Sequence, residues 1–270
     1  MECKKLADCS GIITSTTNDH VKYVRSLYRR RIRYGERVFV VEGLRAVEEA
    51  FKAGIQPVSL FHTPAVLDSP RARWILSQAE EWRVTSKAVS EPVMSAMADT
   101  VSPSGMLAVL PMPEPCMPAS LDWALILDNV RDPGNLGAIL RSALAAGVEW
   151  IITTTGTVDV YSPKVVRAGM GAHLRLRLWL DQPWSKVQRV LSGLQVLVAS
   201  PQDGSPYWKA DWRRPTALVI GSEAEGVAPE AKQLATGHVT IPMRSDVESL
   251  NAAVAAGVLL FEAARQRSAR

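Results

Sequence analysis

Cysteine is nearly absent. The chain has three, Cys3, Cys9 and Cys116, with no Cys-x-x-Cys pair and no histidine cluster beside them. That pattern argues against a zinc site or a disulfide framework, so no metal is expected and a reducing compartment is the default. The opening MECKKLADCS has no apolar core of the kind a signal peptide needs. No apolar run approaches the length of a membrane span. A soluble, cytoplasmic protein without membrane contact is the consistent expectation. Cofactor and nucleophile fingerprints are missing too. No Gly-x-Gly-x-x-Gly follows the first strand of either half, which counts against a nucleotide-dependent oxidoreductase. There is no Walker phosphate loop and no Ser-centred nucleophile elbow. Internal repeats and low-complexity segments are also lacking.

What remains is ordinary in bulk and uneven in detail. Hydrophobic residues make up 47% of the chain, enough for normal cores. The pI near 9.0 hints at an anionic partner. Seven cations (Lys22, Arg25, Arg29, Arg30, Arg31, Arg33 and Arg37) stand against Glu36 alone, an excess larger than the +4 of the whole chain. Such a run is either a solvated helix face or an RNA-binding surface.

Taken in order, Asn18 or Asp19 caps a helix predicted to run to about residue 34, with Val21, Val24, Leu27 and Tyr28 as its apolar stripe. Strands are predicted over 37–43, 57–62, 82–86 and 105–110. Helices lie between them, stopped by Gly54 or started by Pro70 and by Ser90 before Pro92. This alternation implies a small α/β layer structure over residues 1–110. PMPEPCMPAS carries four prolines in ten residues. It reads as a semi-rigid linker over 111–120. Strands then alternate with helices through 121–270, implying a second α/β unit with a mostly parallel sheet. Residues 174–180, LRLRLWL, alternate as a half-buried strand does.

Three stretches of this second unit share one form, a strand that turns through polar residues into a helix: 127–148, 219–234 and 241–267. Ligands of open parallel sheets bind beyond the carboxyl ends of the strands, where these loops lie. Gly221 and Gly226 allow close backbone approach to a ligand. Asn135 reads alone as an N-cap, and Arg141, six residues on, as a surface cation on the opposite side of the helix. Ser249 is a good N-cap for the last helix. Asn251 falls just inside it, where a partly buried amide needs partners.

Together the three stretches resemble the three motifs of the SpoU/TrmH family of RNA ribose 2′-O-methyltransferases. DNVRDPGNLGAILRSA is similar to the first, with Asn135 and Arg141. IGSEAEGV is similar to the second, with Glu223. IPMRSDVESLNAAVAAGVLLFEA is similar to the third, with Ser249 and Asn251. The segments ITSTTNDHVKYVRSL and FVVEGLRAVEEAFKAG resemble the family's N-terminal substrate-binding domain, so the likeness spans nearly the whole chain after residue 11. It departs from the family at Gly169, where serine is common, and at Asp246 and Glu248, where small or neutral residues are common.

The resemblance implies a SPOUT-type α/β domain with a trefoil knot, a homodimer and S-adenosylmethionine as methyl donor. It assigns Gly221, Gly226, Ile241, Met243 and Leu250 to the donor pocket. Lys22, Arg25, Arg29, Arg30 and Arg33 become the RNA-binding candidates. Arg141 is placed at the nucleophile, across the dimer interface. A guanidinium is effectively always protonated, so Arg141 is better suited to orient and stabilise a developing alkoxide than to take its proton. Asn135 would position ribose or phosphate, Glu223 and Ser249 would order the loops, and Asn251 would tie the knot loops together. The N-terminal domain favours ribosomal RNA. A transfer-RNA methyltransferase and a non-catalytic RNA-binding protein of the same fold are the alternatives.

Overall fold

A computed structural model describes residues 11–114, 117–222, 225–244 and 248–268. The chain divides into two compact units, Met1–Pro113 and Glu114–Arg270.

The first unit opens with two short helices where the apolar stripe predicts one. Helix α1 covers Asp19–Ser26 and α2 covers Arg30–Glu36. Asn18 caps α1 through its side chain, which accepts from the His20 N–H. The break has a local cause. Arg29 turns to extended backbone, which leaves the Leu27 carbonyl without a helical partner. Arg33 supplies one: its Nη1 donates to the Leu27 oxygen at 2.6 Å, and the residue is only 3% exposed. Arg33 is therefore a buried clasp of the elbow and is removed from the RNA-contacting set. Val21, Val24 and Leu27 do enter the core.

Strand β1 (Val38–Glu42) leads into α3 (Leu44–Lys52), β2 (Ser59–His62) and α4 (Pro70–Glu81). Then come β3 (Ser86–Ala88), α5 (Glu91–Met97) and β4 (Met106–Pro111). The strand predicted at 82–86 starts four residues late. Helix α4 persists to Glu81, and Arg83 takes a left-handed φ of 55° while the Val84 N–H closes on the Ala79 carbonyl. The sheet order is β1-β4-β2-β3, with β4 antiparallel to both neighbours and β2 parallel to β3. Ser90 stands at the cap of α5 without a side-chain hydrogen bond.

The second unit is a seven-stranded sheet in the order β7-β6-β5-β10-β8-β11-β9. Its elements are β5 (Trp123–Leu127), α6 (Pro133–Ala145), β6 (Trp150–Thr154), α7 (Pro163–Gly169), β7 (Arg177–Gln182), α8 (Trp184–Val190) and β8 (Gln195–Ala199). They continue as β9 (Ser205–Pro206), β10 (Thr216–Ile220), α9 (Pro229–Leu234), β11 (Gly237–Thr240) and α10 (Ala252–Arg267). Every pairing is parallel. Strands β5, β6 and β10 are buried at every residue, as continuous apolar runs covered on both faces should be. Edge strand β7 does not keep the predicted alternation: Trp179 is buried between half-buried Leu178 and Leu180, which pack on the opposite face. It begins at Arg177, because a 3-10 turn occupies Ala172–Leu174. From β5 the chain runs outward through β6 to β7, then returns beyond β10. The switch point thus falls between β5 and β10.

His173 lies in that 3-10 turn, fully buried, with Nε2 2.8 Å from the Val160 carbonyl. Its ring explains the glycine at 169: a Cβ there would stand 2.6 Å from His173 Cε1. Burial lowers the His173 pKa from 6.5 to about 4, against weaker upward pulls from the Val160 carbonyl and Asp159. The unfolded chain therefore binds the extra proton first. The resulting stability is present above pH 6.5 and drains away as pH falls towards 4, a loss on the order of 3 kcal/mol. Urea denaturation across this window should show a shallower pH dependence for His173→Gln than for the wild type. Parallel curves would contradict this assignment.

Candidate active site

Three loops that leave the carboxyl edge of the parallel sheet, after β8, β10 and β11, join the first turns of α10 around a cavity of about 370 Å³. Its floor is apolar, from Ile220, Val239 and Leu259. Ser200, Ser222 and Glu225 bring polar groups to its wall. All five residues assigned to the donor pocket from sequence, Gly221, Gly226, Ile241, Met243 and Leu250, line it, and so does Ser249. The volume falls within the usual range for small-molecule sites, about 300–1,000 Å³. An apolar floor with a polar wall fits S-adenosylmethionine, which joins a flat aromatic base to a charged amino-acid tail.

Ser222 and Gly226 exchange backbone hydrogen bonds of 2.9 and 3.0 Å, closing a tight turn. Gly226 adopts φ 68°, a left-handed conformation that suits glycine. Gly221 is needed for a different reason from the one its sequence context suggests. A Cβ at Gly221 would collide with the Gly226 carbonyl group and stand 2.7 Å from Val227 Cγ1. The close approach is thus of the loop to itself, and any ligand meets the loop that results. Glu223, the motif residue between these glycines, lies outside the described residues, as does Asp246. Glu225 is described: it accepts from Asn129 Nδ2 at 2.9 Å and pairs with Arg131 at 3.0 Å.

Beside the cavity, two helix starts are fastened together. Asp132, not Asn135, caps α6, accepting the Asn135 N–H at 2.7 Å. The Asn135 side chain turns instead to α10, where its Oδ1 accepts from Asn251 Nδ2 at 2.9 Å. Asn251 is itself the cap of α10, its Oδ1 accepting from the N–H groups of Ala253 and Val254. The expectations for Ser249 and Asn251 are therefore corrected. Ser249 lies two residues before the cap and faces the cavity, and Asn251 is an exposed capping residue rather than a partly buried amide inside the helix. The Asn251 oxygen satisfies α10 while its nitrogen reaches α6, so one amide serves both helices.

Arg141 lies on α6 beyond Asn135, exposed, and is not on the cavity wall of its own chain. The structure thus brings Asn135 to Asn251, and Ser249 to the five pocket residues, but not Arg141 to that pocket. In the first unit Lys22, Arg25, Arg29 and Arg30 are exposed on the two-helix elbow. Lys22 pairs with Asp19 at 3.3 Å, and the Arg30 guanidinium lies over the Tyr34 ring. Two acidic residues received no role from sequence. Glu225 is one. The other is Asp128, visible only as a charge at the end of the apolar run Trp123–Leu127.

Comparison with known proteins agrees with this architecture. Residues 122–261 match the SpoU rRNA methylase family. The chain belongs to that family. Residues 18–108 of this SpoU methylase match an MRM3-like substrate-binding domain. A 23S rRNA (guanosine(2553)-2′-O)-methyltransferase of Bacillus subtilis, RlmP, is 32% identical, over 92% of this chain and 97% of its own length. The crystal structure of an rRNA methyltransferase from Sinorhizobium meliloti with AdoMet bound superposes with a TM-score of 0.83 at 30% identity, covering 94% of this chain and 97% of the other. A tRNA-modifying TrmH/SpoU enzyme of A. aeolicus covers only 56% of this chain and 77% of its own, with a TM-score of 0.50 and 30% identity. This SpoU methylase is an S-adenosylmethionine-dependent RNA ribose 2′-O-methyltransferase.

The two loop glycines should respond differently to alanine. Gly226→Ala meets open space and bears only the left-handed cost, about 1–2 kcal/mol. Gly221→Ala must displace backbone, and overpacking of this kind costs about 1–3 kcal/mol while reshaping the cavity wall. Calorimetric titration with S-adenosylmethionine should show the larger loss for Gly221→Ala. Equal affinities in the two variants would refute the loop-on-loop role of Gly221.

Proposed function

We propose that the chain methylates a ribose 2′-hydroxyl of ribosomal RNA, with the donor in the cavity described above and RNA held by the first unit. The observation that carries this reading is the convergence of the five donor-pocket residues and Ser249 on one cavity, beside the bonded pair Asn135–Asn251. Ribosomal RNA is favoured over transfer RNA because the likeness to rRNA enzymes runs through both units, including the substrate-binding domain at 18–108. A cytoplasmic setting is part of the same proposal. Methyl transfer to purified rRNA and tRNA, followed by mapping of 2′-O-methylated positions with and without the protein, tests the reading. Labelling of tRNA alone would select the alternative substrate. Donor-independent RNA binding without any methylation would select the non-catalytic one.

In this reading the pocket loops form the family's trefoil knot, and the working unit is a homodimer. Support for the dimer comes from α10. Val254 and Phe261, seven residues apart on one helical face, are each 53% exposed. Arg141 then acts on the hydroxyl beside the partner's pocket, in keeping with its absence from the cavity wall of its own chain.

Bound S-adenosylmethionine supplies a methyl group activated as a sulfonium. The protein's part is alignment and charge. Asn135, fixed by Asn251, orients the ribose or phosphate, and alignment of this kind lowers a barrier by several kcal/mol. Arg141, permanently charged, donates to the oxygen as it becomes an alkoxide. The departing proton passes to a different acceptor.

Two further outcomes are expected. If Lys22, Arg25, Arg29 and Arg30 meet phosphates, replacing Arg29 and Arg30 with alanine should shallow the salt dependence of RNA affinity by roughly one to two log units per log unit of salt. An unchanged slope would return the elbow to a solvated face. Separately, an Arg141→Ala chain coexpressed with a Gly221→Ala chain should give heterodimers with up to one working site, although neither homodimer is fully active. Purified heterodimers no more active than the two homodimers would mean that Arg141 serves its own subunit.

A further inference from the structure

We propose that Asp128 is a positioning residue for the donor pocket: its buried carboxylate holds the pocket loop at Ala228, and with it Glu225 and Gly226, in the position that the donor requires. This rests on the reading of the cavity as the donor site. Strand β5 is wholly apolar and buried, yet the next residue is a carboxylate only 2% exposed. A buried carboxylate is costly unless hydrogen-bonded. Asp128 is bonded by three donors. Thr154 Oγ1 and Trp184 Nε1 donate to Oδ1 at 2.7 and 3.1 Å, and the Ala228 N–H donates to Oδ2 at 2.6 Å. The three come from the end of β6, the start of α8 and the pocket loop.

That third bond matters most. The pocket loop is continuous with β10 at its start, and Asp128 fixes its far end at Ala228. Between the two anchors lie Gly221, Ser222, Glu225 and Gly226, all on the cavity wall. Val227 packs in the core beside the bond to Ala228, and Asn129 and Arg131 reach the loop at Glu225. The Arg131–Glu225 ion pair is more than half exposed on both sides and correspondingly weak. A short bond from a buried carboxylate to a backbone N–H is the stronger restraint. Asp128 itself is not on the cavity wall. It acts through the loop and touches neither donor nor RNA in this account. Asparagine cannot replace it, because one of its two ends would turn an N–H₂ towards groups that are themselves donors.

The test uses full-length Asp128→Asn, Trp184→Phe and Thr216→Val chains. Thr216 is a control: it is buried and hydrogen-bonded to Gln195 and Arg214 at the opposite end of β10. Each chain is titrated with S-adenosylmethionine and, separately, with fragmented total rRNA. Asp128→Asn should weaken donor binding about tenfold or more, and Trp184→Phe about threefold, as expected for loss of hydrogen bonds to a charged group. Thr216→Val should stay within about twofold of the wild type, since substitutions distant from a site act independently of it. The rRNA affinity should be unchanged throughout. In turnover, Asp128→Asn should raise the KM for donor while kcat at saturating donor changes little. A folded Asp128→Asn chain with wild-type donor affinity would overturn the proposal, and so would an equal loss in Thr216→Val. Should Asp128→Asn not fold, Trp184→Phe decides, and its unchanged donor affinity would also overturn the proposal. Failure of the wild type to bind S-adenosylmethionine would instead overturn the reading of the cavity.

Discussion

Parallel strand pairing is the constraint on which the second unit depends. Seven strands that all run one way deliver every outgoing loop to the same edge. Sequence-distant residues then meet without any special device: Asn135 finds Asn251, and Asn129 finds Glu225. Both faces of the sheet are covered, so the ends of β5, β6 and β10 are set by core packing on either side. The cavity is thus a property of the sheet's edge, with loop chemistry deciding what it holds.

Polar side chains do two kinds of work here, and burial separates them. Arg33, Asp128 and His173 are buried and serve neighbouring backbone or loops. Asn251, Asn135, Arg141 and the elbow cations are wholly or partly accessible and remain able to meet a ligand. The division redraws the basic segment. Its charge density reads as one surface, yet Arg33 faces inward, where its guanidinium completes the end of a helix.

Much of the fold was legible because strong local signals agreed. Short continuous runs such as WALIL and TALVI, bounded by turn residues, read as covered strands, and Gly54 and Asn18 punctuate helices as expected. The elbow between α1 and α2 was not legible, because the apolar stripe gives no sign that Arg33 will satisfy the Leu27 carbonyl. The choice of Asn251 over Ser249 as the last cap was hidden for a similar reason. Both are good caps, and Asn251 is the one bonded to Asn135, 116 residues away. The five donor-pocket positions named from motif likeness fall on one cavity wall. That likeness passed over Asp128, whose importance lies in donors contributed by three other segments.

The hydrogen bonds around the site span the chain. Asn129 to Glu225 bridges 96 positions, Asp128 to Ala228 bridges 100, and Asn251 to Asn135 bridges 116. Contacts of such separation carry a large loop-closure entropy and form slowly. Each joins segments about a hundred residues apart, so none can form within a single element. The site therefore has no local folding intermediate of its own. It comes into being only when α10 docks, because Ala252, Ala255 and Leu259 complete a wall begun more than fifty residues earlier at Ala199.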